Sequence, residues 1–157
     1  MAPFKRLIQR LCKKEDGSIF VEAIIAIPVV SILTIGILEY GNVLWQRHQI
    51  QTGVRDAARY MSRCRDTFMP CDMTIARNIA FYGKPVVNKS TDFLRVKGWY
   101  GDSGLQITTP FPPAGTTPSD VVIINGISTY NASPLFNLLQ IDPITIQYQY
   151  EMRYIGW

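Results

Sequence analysis

Between Glu15 and Gly41 the chain reads EDGSIFVEAIIAIPVVSILTIGILEYG, an apolar run with a lone carboxylate, Glu22, near its start. No charged side chain occurs from Ala23 to Leu38, and Ser18–Leu38 makes 21 residues with one acid. A helix of about 20 apolar residues spans a bilayer. This stretch is therefore committed to a membrane-competent helix before any globular fold is considered. A removable secretory signal would have a shorter apolar core and a small-residue cleavage site behind it. No A-x-A site follows Leu38, and the chain continues as an amphipathic helix.

An unpaired carboxylate inside such a run is unfavourable by up to roughly 3 kcal/mol, less near the interface. Glu22 therefore either snorkels to the headgroups or meets a cation. Glu39 lies 17 residues further on, about 26 Å along a helix, so the two acids bracket a slab close to the hydrocarbon thickness of about 30 Å. Glu39 is expected at the outer interface, with Tyr40 and Trp45 as aromatic anchors. Pro28 removes the hydrogen bond to the Ile24 carbonyl and predicts a kink, which membrane helices tolerate.

The charge is concentrated ahead of this run. Residues 1–17 hold five basic residues (Lys5, Arg6, Arg10, Lys13, Lys14) against Glu15 and Asp16, a net +3. The remainder holds eleven basic and ten acidic residues, a net +1. Basic flanks stay cytoplasmic, which places the amino terminus inside and the rest of the chain outside. A nearly neutral remainder argues against nucleic-acid binding, which needs a basic face on the folded part.

Of the three cysteines, Cys12 lies in the leader, and Cys64 and Cys71 lie beyond the apolar run. In an oxidising compartment the latter two can pair; spacing alone leaves two free thiols open as the alternative. The single histidine, His48, is remote from them and no CxxC occurs, so no metal site is expected.

Beyond the membrane run, Ile50, Val54, Ala57 or Ala58, and Met61 recur on one helical face. One helix is predicted from Asp16 to Arg63. Arg55, Arg59, Arg63 and Arg65 form either a solvated face or a surface for an acidic partner. Asp72 predicts the cap of a second helix, Met73–Tyr82, stopped by Gly83 and Pro85, with Ile75, Ala76, Ile79 and Ala80 toward the first. Phe93–Tyr100 is a candidate strand, Thr109–Pro118 a loop, and Val121–Tyr130 a strand in which Gly126 suggests a bulge. In the last strand Ile144, Ile146, Tyr148, Tyr150, Met152 and Tyr154 alternate with polar residues. A strand face of tyrosines reads as half-buried core. The expected architecture is α+β, a long transmembrane and amphipathic helix packed on a small antiparallel sheet. It divides into a leader at 1–17, a transmembrane segment at 18–40 and an outer domain at 41–157.

These residues resemble the TadE-like proteins, minor pilin-related subunits of the tight-adherence (Tad) branch of type IV pili. The likeness is carried by the leader ending at Gly17, S-I-F-V-E with Glu22 five residues after that glycine, and V-E-A-x-x-A-x-P from Val21 to Pro28. G-I-L-E-Y-G from Gly36 to Gly41 and R-D-A-A-R-Y from Arg55 to Tyr60 add to it. P-L-F-x-L-L from Pro134 to Leu139, followed by a last strand, fits the family's ending.

The resemblance implies a pilin-like outer domain in the periplasm and anchoring in the inner membrane. It also implies cleavage between Gly17 and Ser18 by a prepilin peptidase, and a Glu22 that neutralises the new α-amine of a neighbouring copy. The implied partners are that peptidase, other pilin and minor pilin subunits, and an inner-membrane assembly platform, with no cofactor.

No GxSxG, HExxH, Walker or dinucleotide-binding motif is present, and no catalytic role is expected. Two alternatives share the topology. One is an uncleaved single-span adaptor of a pilus or secretion machine. The other is a membrane-tethered module for adhesion to a surface ligand.

Overall fold

A computed structural model describes residues 15–64, 71–88, 90–108, 121–130 and 142–155, and at 15–18 the backbone alone. The leader up to Lys14, the expected loop at Thr109–Pro118 and the Pro134–Leu139 motif lie outside the described residues. The chain divides into two compact units, Met1–Gly41 and Asn42–Trp157. Helix α1 spans Glu15–Arg63, close to the predicted Asp16–Arg63.

In the first unit α1 presents isoleucine, valine and leucine outward on every side, from Ile19 and Phe20 to Ile37 and Leu38. Two of its hydroxyls bond back to the helix. Ser31 Oγ donates to the Ile27 carbonyl at 2.7 Å, and Thr34 Oγ1 to the Val30 carbonyl at 2.8 Å. Such back-bonding lets polar side chains sit in an apolar medium. Pro28 lies inside the helix.

The second unit is α+β. The outer part of α1 buries the predicted face, with Ile50, Val54, Ala57 and Ala58 fully buried and Met61 nearly so. Burying a Val or Ile side chain contributes about 1.5–3 kcal/mol, so this face anchors the core. Helix α2, Met73–Tyr82, has the predicted bounds. The Thr74 N–H donates to Asp72 Oδ1 at 2.7 Å, capping the amino end. Gly83 adopts φ 76°, and its N–H bonds the Ile79 carbonyl at 2.9 Å. Ala76, Ala80 and Phe81 are the buried residues of α2, with Ile75 and Ile79 half-buried.

Among the described residues three strands form one antiparallel sheet: β1, Leu105–Thr108, β2, Val121–Tyr130, and β3, Ile144–Arg153, in the order β1-β2-β3. A four-residue helix α3, Gly101–Gly104, leads into β1. In β3, Ile146 is buried and Tyr148, Tyr150 and Met152 are half-buried, whereas Thr145, Gln147, Gln149, Glu151 and Arg153 face water. Tyr154, just past the strand, is buried. The alternation is as predicted, except that Ile144 is exposed.

Two expectations fail. Phe93–Tyr100 is not a strand. Val96 and Trp99 are buried three residues apart, the Trp99 N–H bonds the Val96 carbonyl at 3.1 Å, and Gly98 has φ 86°. That is turn geometry, with no period of two. Nor is Gly126 a bulge: β2 keeps an unbroken register with both neighbours, Gly126 facing Leu105 on one side and Tyr148 on the other. The glycine is there for room. A Cβ at 126 would lie 2.6 Å from Val54 Cγ2 and 3.1 Å from Ile50 Cγ2, so the sheet approaches α1 too closely for any side chain.

Candidate functional site

The residues singled out by sequence fall at the two ends of α1. At the amino end, Gly17 and Ser18 have helical backbone in the first turn of α1. Glu22 follows on the same helix, exposed among the outward-facing Ile19, Phe20, Val21, Ile24 and Ile25. Among the described residues it has no hydrogen-bond or ion-pair partner. Chemically this is a carboxylate set in a greasy surface, where a cation is the favourable neighbour. Glu39 differs. It is 7% exposed, while Ile37, Leu38 and Tyr40 beside it are 66–73% exposed. Glu39 is thus enclosed by protein, whereas Glu22 is open.

At the carboxy end, Cys64 and Cys71 are joined by a disulfide with their Cα atoms 5.1 Å apart. The same point receives the end of the chain. Tyr154 Oη donates to the Cys64 carbonyl at 2.8 Å, and the Ile155 N–H donates to the Ser62 carbonyl at 2.8 Å. The last carbonyls of a helix lack intrahelical partners, and the segment after β3 supplies two of those donors. The Asp72 N–H also reaches Tyr60 Oη at 3.4 Å.

Between these ends, Arg55 lies over the rings of Tyr148 and Tyr150, at 5.7 and 5.8 Å from their centroids, and Nε donates to Tyr148 Oη at 3.2 Å. Arg55 is therefore engaged in a cation–π contact with the sheet, whereas Arg59 and Arg63 face solvent. The Arg95 guanidinium donates to Asp56 Oδ2 at 2.8 Å and its backbone N–H donates to the Phe81 carbonyl at 2.8 Å, tying α1 to the end of α2. Sequence reasoning missed Arg95 and Trp99 because both fall in the segment read as a strand.

Among the described residues, no group of three or more His, Cys, Asp or Glu is placed to hold a metal. His48 is exposed. A cleft of about 250 Å³ is lined by Gly98, Tyr100, Ser103, Gly104, Ile127, Ser128 and Thr129. It offers hydroxyls and backbone but no carboxylate, imidazole or amine.

Comparison with known proteins agrees with the amino-terminal features. No curated protein and no solved structure matches the chain. The family model described as TadE-like protein matches residues 17–59, from Gly17 to Arg59, both on α1. Over that segment, about a quarter of the chain, the resemblance drawn from Gly17, Glu22, Pro28 and the motif beginning at Arg55 is borne out: residues 17–59 are similar to the TadE-like proteins.

Proposed function

We propose that the chain is a minor pilin or pseudopilin needed to assemble a Tad-type pilus. The observation that carries this reading is the TadE-like match beginning at Gly17, combined with a Glu22 that stands exposed and unpartnered, among the described residues, in an apolar helix. In this reading the leader stays cytoplasmic, α1 crosses the inner membrane, and the unit from Asn42 onward is periplasmic. A prepilin peptidase cuts between Gly17 and Ser18.

Cleavage creates a positive terminus at Ser18. The Glu22 carboxylate of one copy meets the terminal amine of a neighbouring pilin or minor pilin. In a low-dielectric helical core that pairing fixes register, and burial of the surrounding isoleucines and valines supplies the cohesion. A good pair there offsets the desolvation of both charges, whereas an unmatched partner is strongly unfavourable. The chain's role is structural, and the chemistry belongs to the peptidase and the assembly platform.

Glu22→Gln is the test. The variant is expected to insert in the membrane at normal level and to be absent from sheared pilus fractions. Normal incorporation would remove the basis for the charge pairing. An uncleaved inner-membrane adaptor is the competing reading; it requires residues 1–17 to remain on the working protein.

A further inference from the structure

Strand β2 is paired along only part of one edge. β1 matches Leu105–Thr108 to Ile123–Gly126, whereas β3 accompanies β2 as far as Tyr130. Past Gly126 the turn at 98–104 takes the place of β1, and the cleft of about 250 Å³ lies between that turn and Ile127–Thr129. Val122, Ile124, Gly126, Ser128 and Tyr130 are the buried positions of β2, one face of a strand. A Cβ at Gly126 would lie 3.3 Å from Trp99 Cζ2. Ser128, two residues further on, therefore projects on the face that the same turn covers.

Four residues lining this cleft carry hydroxyls: Tyr100, Ser103, Ser128 and Thr129. Among the described residues none of these hydroxyls has a protein hydrogen-bond partner. Ser128 is the informative one. It is 5% exposed, and a buried hydroxyl without a partner is unfavourable, so the fold alone gives no reason for it. Tyr100 is set the opposite way. It is 65% exposed, next to a fully packed Trp99, and Gly98 and Gly101 bend the chain on either side with φ 86° and 77°. These bends put the indole in the core and leave the phenol ring at the cleft. No lining side chain is charged. Asp102, on the same turn, is paired with Arg77 at 3.0 Å.

We propose that this cleft binds one ring of an uncharged carbohydrate, with the apolar face of the sugar on Tyr100 and its hydroxyls paired with Ser103, Ser128 and Thr129. The lining disfavours the other classes. A phosphate or carboxylate would lose its hydration with no cation to replace it. A wholly apolar ligand would leave the Ser128 hydroxyl unpaired. An extended peptide needs a longer open strand edge, and Gly104 interrupts this one, since a Cβ there would lie 3.7 Å from the Ile127 carbonyl oxygen. The volume is below the roughly 300–1,000 Å³ of drug-sized sites, which suits a single ring. The site lies wholly in the second unit and does not depend on cleavage, polymerisation or the Glu22 pairing.

The full chain, in a zwitterionic detergent with no sugar headgroup, is titrated with the methyl glycosides of glucose, galactose and mannose and with N-acetylglucosamine. Glucuronic acid and trialanine serve as the charged and peptide probes. Saturation-transfer NMR reads binding, and denaturant unfolding reads the fold. At least one neutral sugar is expected to receive saturation, strongest at its ring C–H protons, and glucuronic acid none. Tyr100→Ala lowers the affinity about tenfold. Ser128→Ala lowers it about fivefold, while the unfolding midpoint stays level or rises because an unpartnered hydroxyl is gone. No transfer to any neutral sugar overturns the proposal. Transfer that survives both substitutions places the sugar elsewhere and overturns it equally. Stronger transfer to glucuronic acid or trialanine overturns the ligand class. A Ser128→Ala chain that loses stability and keeps its sugar affinity shows a hydroxyl serving the fold alone, and removes Ser128 from the site.

Discussion

The indole of Trp99 closes directly over Gly53 of α1, where a Cβ would lie 2.8 Å from ring atom Cη2 and would also strike the Ala80 carbonyl of α2. The ring is fixed on its other sides. Nε1 donates to the Gly104 carbonyl at 2.7 Å, and Phe81 meets it edge-on with centroids 5.0 Å apart. Gly53, Gly104 and Gly126 all approach this one side chain. Trp99 is the point where α1, α2 and the sheet are fitted together.

Gly53→Ala should therefore destabilise the second unit by about 1–3 kcal/mol, the usual effect of overpacking a filled core, although alanine is the better helix former. Gly41→Ala is the control. Nothing lies within 4 Å of a Cβ there, so the change should be neutral or stabilising by up to about 1 kcal/mol. Denaturant unfolding followed by tryptophan fluorescence distinguishes the two.

Opening the Cys64–Cys71 bond should lower stability by about 2.5 kcal/mol on the chain-entropy estimate for so short a loop. The effect should concentrate where Tyr154 and Ile155 return to α1. Unfolding with and without reductant, alongside Cys71→Ser, measures it. Equal midpoints would mean that the hydrogen bonds alone hold this end.

The Lys84 ammonium and the Asn88 N–H hold the Asp92 carboxyl below its ordinary titration range. A depressed folded-state pKa contributes stability that is fully present above the unfolded value of about 3.9 and is lost as pH falls through the folded one. The 83–98 loop should thus stay ordered at neutral and mildly acidic pH and loosen only below the normal aspartate range. Lys84→Ala should move the Asp92 titration upward, as read by carboxyl chemical shifts.

Asp56→Ala should destabilise by about 1 kcal/mol or more, because the half-buried Arg95 guanidinium loses its charged acceptor. A double-mutant cycle with Arg95→Met should recover part of the loss.

The elements legible in the sequence are those whose burial repeats along the chain. Ile50, Val54, Ala57 and Met61 give α1 its face, Asp72 and Gly83 punctuate α2, and Ile146 to Met152 alternate along β3. What escaped was non-local. β1 is only four residues long and becomes a strand by pairing with Ile123–Gly126. Trp99 is buried by a turn at Val96–Trp99 that a β-rich composition disguised. Gly126 signalled an exception correctly, but its cause is the approach of Ile50 and Val54, more than 70 residues earlier in the chain, and no local pattern carries that. At the candidate site, Gly17, Ser18 and Glu22 stand out in the sequence because the apolar run isolates them. The Arg55 contact with Tyr148 and Tyr150 does not, since it joins residues 93 and 95 apart in sequence.

Shortening of the chain before it works separates a processed pilin from an uncleaved adaptor. Intact-mass and amino-terminal peptide analysis of the protein recovered from assembled pilus material tests this most directly. A chain beginning at Ser18 with Cys64 and Cys71 oxidised is the predicted result. Recovery of the same material with Met1–Gly17 still attached would contradict it.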